Sequence, residues 1–150
     1  MKDNLTDELI QQLKDFAAKG MGNAYCPVSE FPVGAAVLTQ DGNIYQGCNV
    51  ESVISGLGTC AERCAIDHSV AHGEYMIRAI GIISKLPSPI QPCGACLQYI
   101  NEFAQVADND VLIFLFGADS SHEQRLISEM LPNGFGPCSL DLDLSRYRKQ

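Results

Sequence analysis

Two short cysteine motifs, far apart in the chain, open two different predicted helices, and their chemistry demands that those helix starts lie side by side. The first is Thr59-Cys60-Ala61-Glu62-Arg63 and the second Pro92-Cys93-Gly94-Ala95-Cys96. A Cys-x-x-Cys on one turn holds two corners of a tetrahedron, and a distant cysteine can supply a third. Soft thiolates favour zinc, so Cys60, Cys93 and Cys96 are the candidate ligands of one Zn2+ ion. Three protein ligands leave the fourth corner open, the arrangement of a metal that acts on a bound molecule.

Two competing readings use the same residues. A structural zinc would close the fourth corner, but Cys64 sits in an apolar run, and Cys26, Cys48 and Cys138 stand singly. His68, His72 and His122 show no ligand spacing either. Lone cysteines of this kind behave as small buried hydrophobes. A thioredoxin-type dithiol at Cys93 and Cys96 would explain the second motif, yet it leaves the Cys-Ala-Glu of the first without a role.

Glu62, two residues from a ligand, is the candidate acid and base. A glutamate in the first turn of a helix is also favoured by the helix dipole alone, but its place beside a metal ligand makes proton transfer the stronger reading. The helix starts supply unpaired N–H groups and positive dipole ends for the thiolates. Three thiolates still overcompensate a divalent cation, which would hold the pKa of a bound water up. Arg63 is therefore the candidate to hydrogen-bond thiolate sulfur and withdraw charge; the alternative is an ordinary surface salt bridge.

At 150 residues the chain fits one domain, 1–150, with room for a sizeable core. A net charge of −8 argues against a polynucleotide partner, which asks for a basic groove, and favours a small molecule. Neither a membrane-spanning apolar run nor a signal-peptide pattern is present, so the seven cysteines read as reduced thiols and ligands in the cytoplasm.

Thr6 caps a predicted helix with the apolar stripe Leu9, Ile10, Leu13, Phe16 and Ala17. Val33 to Thr39 and Asn43 to Asn49 flank Asp41-Gly42, a hairpin signal. Helices are expected from Cys60 to about His72, from Cys93 to Ala104 and from Glu123 to Met130. Strands are expected over Ile77 to Ser84 and Val111 to Phe116, with loop from Pro132 and a frayed end at Arg146 to Gln150. Strands alternating with helices predict an α/β fold, a three-layer α/β/α sandwich around a sheet covered on both faces.

A Pro-Cys-x-x-Cys element, a third thiol and a non-ligand glutamate form the general pattern of zinc deaminases, and the chain resembles the small homotetrameric cytidine deaminases. The likeness runs from about Asn23 to Leu140. It lies in Asn23-Ala24-Tyr25-Cys26-Pro27 with Phe31-Pro32-Val33-Gly34-Ala35-Ala36, in Gly47-Cys48-Asn49-Val50-Glu51, in both cysteine motifs, and in Leu131-Pro132 with Phe135-Gly136-Pro137. The resemblance implies that fold with a mixed central sheet, and zinc-dependent hydrolysis of cytidine and deoxycytidine to uridine and deoxyuridine with release of ammonia. Cys60, Cys93 and Cys96 would hold zinc, and Glu62 would carry the protons. Asn49 and Glu51 would bind the sugar, Phe31 would pack on the pyrimidine, the Ala61 backbone would read the base edge, and Phe135 would enter a neighbouring subunit's pocket. Read on their own, Asn49 and Glu51 stand at i and i+2 and point the same way; a solvated strand end would look similar. Phe31 and Phe135, beside Pro and Gly, would be core by default.

The chain also departs from that family. Leu97 stands where an arginine is usual, removing a positive charge near the zinc, and Gln91 replaces the usual serine. Ser52-Val53-Ile54-Ser55 lacks the usual Asn-Ala pair and the aromatic residue at Ser55, which puts the substrate in question but not the reaction type. The alternatives are another aminopyrimidine nucleoside, modified or blasticidin-like, and a non-catalytic zinc-containing nucleoside-binding module.

Overall fold

A computed structural model describes residues 4–148. Thr6 accepts the Leu9 amide at 3.2 Å and starts α1, Asp7–Met21. The hairpin follows as β1, Val33–Thr39, and β2, Ile44–Cys48. Gly42 takes φ +88° at its turn, a conformation that glycine adopts without steric cost. Then come α2, Ala61–Ala71, β3, Ile77–Ser84, and α3, Gly94–Ala107. Beyond α3 are β4, Leu112–Phe116, β5, His122–Leu126, and α4, Ile127–Met130. A 3-10 turn spans Pro137–Leu140, and α5 spans Ser145–Arg148.

The strand order is β2-β1-β3-β4-β5. The β3–β4 pair is parallel and the other three pairs are antiparallel, so the sheet is mixed, as expected. Alternation along each strand divides the core in two. Ala35, Val37, Ile80, Ile82, Ile113 and Leu115 pack with Ala61, Ala65, Ile66, Ile100 and Ala104 of α2 and α3. Ala36, Leu38, Ala79, Ile83, Phe114 and Phe116 face Leu13 and Ala17 of α1. The β4 run is buried along its whole length because both its faces are covered.

Two expectations fail. The segment expected to be helical from Glu123 is β5, and only Ile127–Met130 coils. Its polar residues cover the open backbone edge of β4, pairing from Leu112↔Leu126 to Phe116↔His122; an unpaired apolar edge is costlier than forgoing a helical turn. The end beyond Arg146 is not frayed through Arg148, whose side chain donates to the carbonyls of Val106 at 2.8 Å and Gln105 at 3.1 Å. Lys149 and Gln150 lie outside the described residues.

Glycine sets how closely α2 approaches the sheet. A Cβ on Gly47 of β2 would lie 2.3 Å from the Ala65 nitrogen and 2.6 Å from the Ala61 carbonyl oxygen. Both obstacles are helix backbone, so neither can rotate away. Gly47→Ala is expected to cost about 1–3 kcal/mol by overpacking and to weaken metal affinity, since α2 carries the first cysteine and glutamate. Thermal unfolding with and without chelator measures both effects.

Candidate active site and metal centre

Cys60 and Cys93 are the N-cap residues of α2 and α3, both in extended backbone. Their carbonyls accept the first helical bonds, from Cys64 at 3.1 Å and Leu97 at 3.0 Å. The two helices pack against each other over the same face of the sheet, and Cys96 enters from the first turn of α3, fully buried. The sulfurs of Cys60, Cys93 and Cys96 all lie within 4.8 Å of one another. Tetrahedral zinc with bonds of about 2.3 Å places neighbouring sulfurs about 3.8 Å apart; Cys60 Sγ and Cys93 Sγ are 3.9 Å apart. The cluster fits a zinc ion. Cys64 is not part of it, and all seven cysteines are free thiols.

Glu62 points inward from α2 with 5% of its surface exposed, and the Cys96 thiol donates to its Oε2 at 3.5 Å. Burial raises its pKa, the direction required of a carboxyl that holds and returns a proton near neutral pH. Burial also pushes the Cys96 thiol up, and the Glu62 charge adds to this. Its thiolate form therefore calls for a cation at the centre of the cluster.

Arg63 Nη2 donates to Cys60 Sγ at 3.6 Å, and its Nε is buried with no hydrogen-bond partner among the described residues. The guanidinium faces thiol sulfur, and no salt bridge holds it to a carboxylate among the described residues. Leu97, in place of a second arginine, packs against the core, so Arg63 is the positive side chain that contacts the cluster.

The chain from Asn49 to Glu51 is clamped beside this centre. Tyr25 donates to the Asn49 carbonyl at 3.0 Å and Glu51 donates to the Tyr25 carbonyl at 2.8 Å, while Val50 and Thr59 exchange two backbone bonds of 3.0 and 2.8 Å. Thr59 immediately precedes Cys60, so the clamp ties Asn49 and Glu51 to the first cysteine. Both side chains turn toward the segment 28–33. Asn49 Oδ1 accepts from the Val33 amide at 2.8 Å and its Nδ2 donates to the Phe31 carbonyl at 2.9 Å. Glu51 accepts from the Val28 and Ser29 amides at 2.9 and 3.1 Å and from the Ser29 hydroxyl. Ser29 carried no weight in the sequence reading, although a serine two residues before Phe31 is a serine-turn signal. Ala61 is buried at the first turn of α2. Phe135 is remote in sequence and 62% exposed, its carbonyl held by Gln98 and by Asn101 at 3.1 Å.

Residues 7–111 match the family model for the cytidine and deoxycytidylate deaminase zinc-binding region. A cytidine deaminase of Sporosarcina psychrophila is 35% identical over 126 residues, 84% of this chain and 90% of that protein. One from Mycobacterium tuberculosis is 37% identical over 140 residues, 91% and 94% of the two chains. The crystal structure of cytidine deaminase from Burkholderia pseudomallei superposes with a TM-score of 0.76 at 33% identity, covering 87% of this chain and all of that one. With its sequence, its fold and its three-thiol cluster in agreement, the chain belongs to the cytidine deaminase family.

Proposed function

We propose that the protein deaminates cytidine and deoxycytidine hydrolytically, releasing ammonia and leaving uridine and deoxyuridine, with one zinc held by Cys60, Cys93 and Cys96. The observation that carries this reading is the buried Glu62 carboxyl 3.5 Å from a sulfur of the cluster: a proton carrier beside a metal corner that no protein ligand fills. Zinc supplies the Lewis acidity that makes water a nucleophile at neutral pH. Glu62 Oε2 takes one proton from the water and delivers it to the pyrimidine ring nitrogen as the oxygen adds to the ring carbon that bears the amine. It then takes the remaining proton of that hydroxyl and delivers it to the amine as the carbon–nitrogen bond breaks, leaving the carbonyl and ammonia. Arg63 draws charge from Cys60. The Ala61 N–H, at the positive end of α2, binds the base edge, Phe31 packs on the ring, Asn49 Nδ2 donates to a sugar oxygen and the Glu51 carboxylate accepts from a sugar hydroxyl.

The acidic chain suits a free nucleoside in the cytoplasm, and among the described residues no helix is long and apolar enough to cross a membrane. We assign it a homotetramer in which Phe135 reaches a neighbour's site. The exposure of Phe135 and, within the one segment 53–57, of Val53, Ile54 and Leu57 supports this, since apolar side chains clustered at a surface mark contact sites. Light scattering is expected to give the mass of four chains, and a fully active monomer would contradict the shared site.

Ammonia release from the zinc-loaded protein, measured with cytidine, deoxycytidine and a blasticidin-like aminopyrimidine side by side, tests the assignment. Turnover of the two nucleosides is expected. Turnover confined to the third compound would reassign the substrate, and none with any would leave a binding module.

A further inference from the structure

The segment 28–33 is held by the two side chains assigned to the sugar, and Ser29 is the link between Glu51 and the aromatic wall. The Ser29 hydroxyl has one proton, which it gives to Glu51 Oε1, and its lone pair accepts the Phe31 amide at 3.1 Å. Its own amide and that of Val28 bind Oε2 of the same carboxylate at 3.1 and 2.9 Å. A carboxylate offers about four lone-pair directions, so these donors fix its orientation and still leave room for a ligand hydroxyl. Glu30, between Ser29 and Phe31, takes φ +53°, and Lys85 Nζ donates to its carbonyl at 2.9 Å while lying 5.8 Å from the Phe31 ring centre. The Ser29 hydroxyl bonds also hold Glu51 below its ordinary pKa, so the carboxylate stays an anion.

We infer that Ser29 is a positioning residue that locks the Glu51 carboxylate and the Phe31 backbone into one unit, so that recognition of the sugar and of the base is coupled through a single hydroxyl. The inference rests on the proposed roles of Glu51 and Phe31. Without the hydroxyl, the Phe31 amide loses its partner and Glu51 keeps only backbone donors.

Steady-state kinetics of the zinc-loaded protein with cytidine and 3′-deoxycytidine test this for wild type, Ser29→Ala, Ser29→Thr, Glu51→Ala and the Ser29→Ala/Glu51→Ala double variant. Ser29→Ala is expected to raise KM for cytidine about tenfold to a hundredfold, the range for losing a hydrogen bond to a charged group, with kcat nearly unchanged. Ser29→Thr, which keeps the hydroxyl, restores KM. In the Glu51→Ala background the serine change raises KM several-fold less than it does in wild type, because coupled residues are not additive and only the lost Phe31 amide bond remains, and the preference for cytidine over 3′-deoxycytidine shrinks in Ser29→Ala. Equal effects of Ser29→Ala with and without Glu51, a fall confined to kcat, or no rescue by threonine overturns the coupling while leaving Glu51 as the sugar residue. A Glu51→Ala variant with unchanged KM for cytidine overturns the reading of Glu51 itself, and the coupling with it.

Discussion

Glu62→Gln is expected to keep its zinc and its fold and to lose about 10²–10⁴-fold or more in turnover of cytidine, the contribution typical of one positioned acid–base group. The amide has nearly the shape of the carboxylate and can still lie against Cys96, but it cannot take a proton from water and pass it to the ring. Because the side chain is buried, no solvent molecule readily replaces it. Burial also makes the neutral amide easy to accommodate, since a buried charge is costly to hold, so the variant should unfold at a temperature equal to or above that of wild type. Single-turnover measurements at saturating cytidine, with metal content and melting temperature on the same preparation, check all three expectations. Turnover within a few fold of wild type would move the proton chemistry to another group.

Cys96→Ala is expected to abolish zinc binding and activity together and also to lower stability. The wild-type sulfur is fully buried in the first turn of α3, within 4.8 Å of the Cys60 sulfur at the start of α2, and a bound zinc would join the starts of both helices. Binding to the folded state alone stabilises it by about 4 kcal/mol at a thousandfold excess over the dissociation constant. Wild type should therefore melt lower after chelation, while Cys96→Ala should show no such shift. Elemental analysis and thermal unfolding with and without chelator give the comparison. Zinc retained at wild-type affinity in Cys96→Ala would remove this residue from the ligand set.

Much of this architecture was legible because the signals were local. Asp41-Gly42 between two alternating runs marked the hairpin, the apolar stripe from Leu9 to Ala17 marked α1, and the two cysteine motifs marked helix starts that had to converge. What was missed depends on partners distant in the chain. His122 to Leu126 has no strand pattern of its own, and becomes β5 because β4 offers it an open edge. Arg148 is ordered by carbonyls at the end of α3. The paired direction of Asn49 and Glu51 could be read from their spacing. Their hold on the segment 28–33 could not, because it arises only when Tyr25 and Thr59 clamp Val50 from either side. The same non-local origin kept Ser29 from view.

The proposed mechanism needs one zinc at three thiols working with Glu62. Its most direct test is to strip the wild-type protein with a chelator, restore zinc in steps, and record bound metal and ammonia release from cytidine on the same samples. The rate is predicted to rise in proportion to bound zinc and to level off at about one ion per chain. Full deamination by the zinc-free protein, or a rate that does not follow the bound metal, would contradict it.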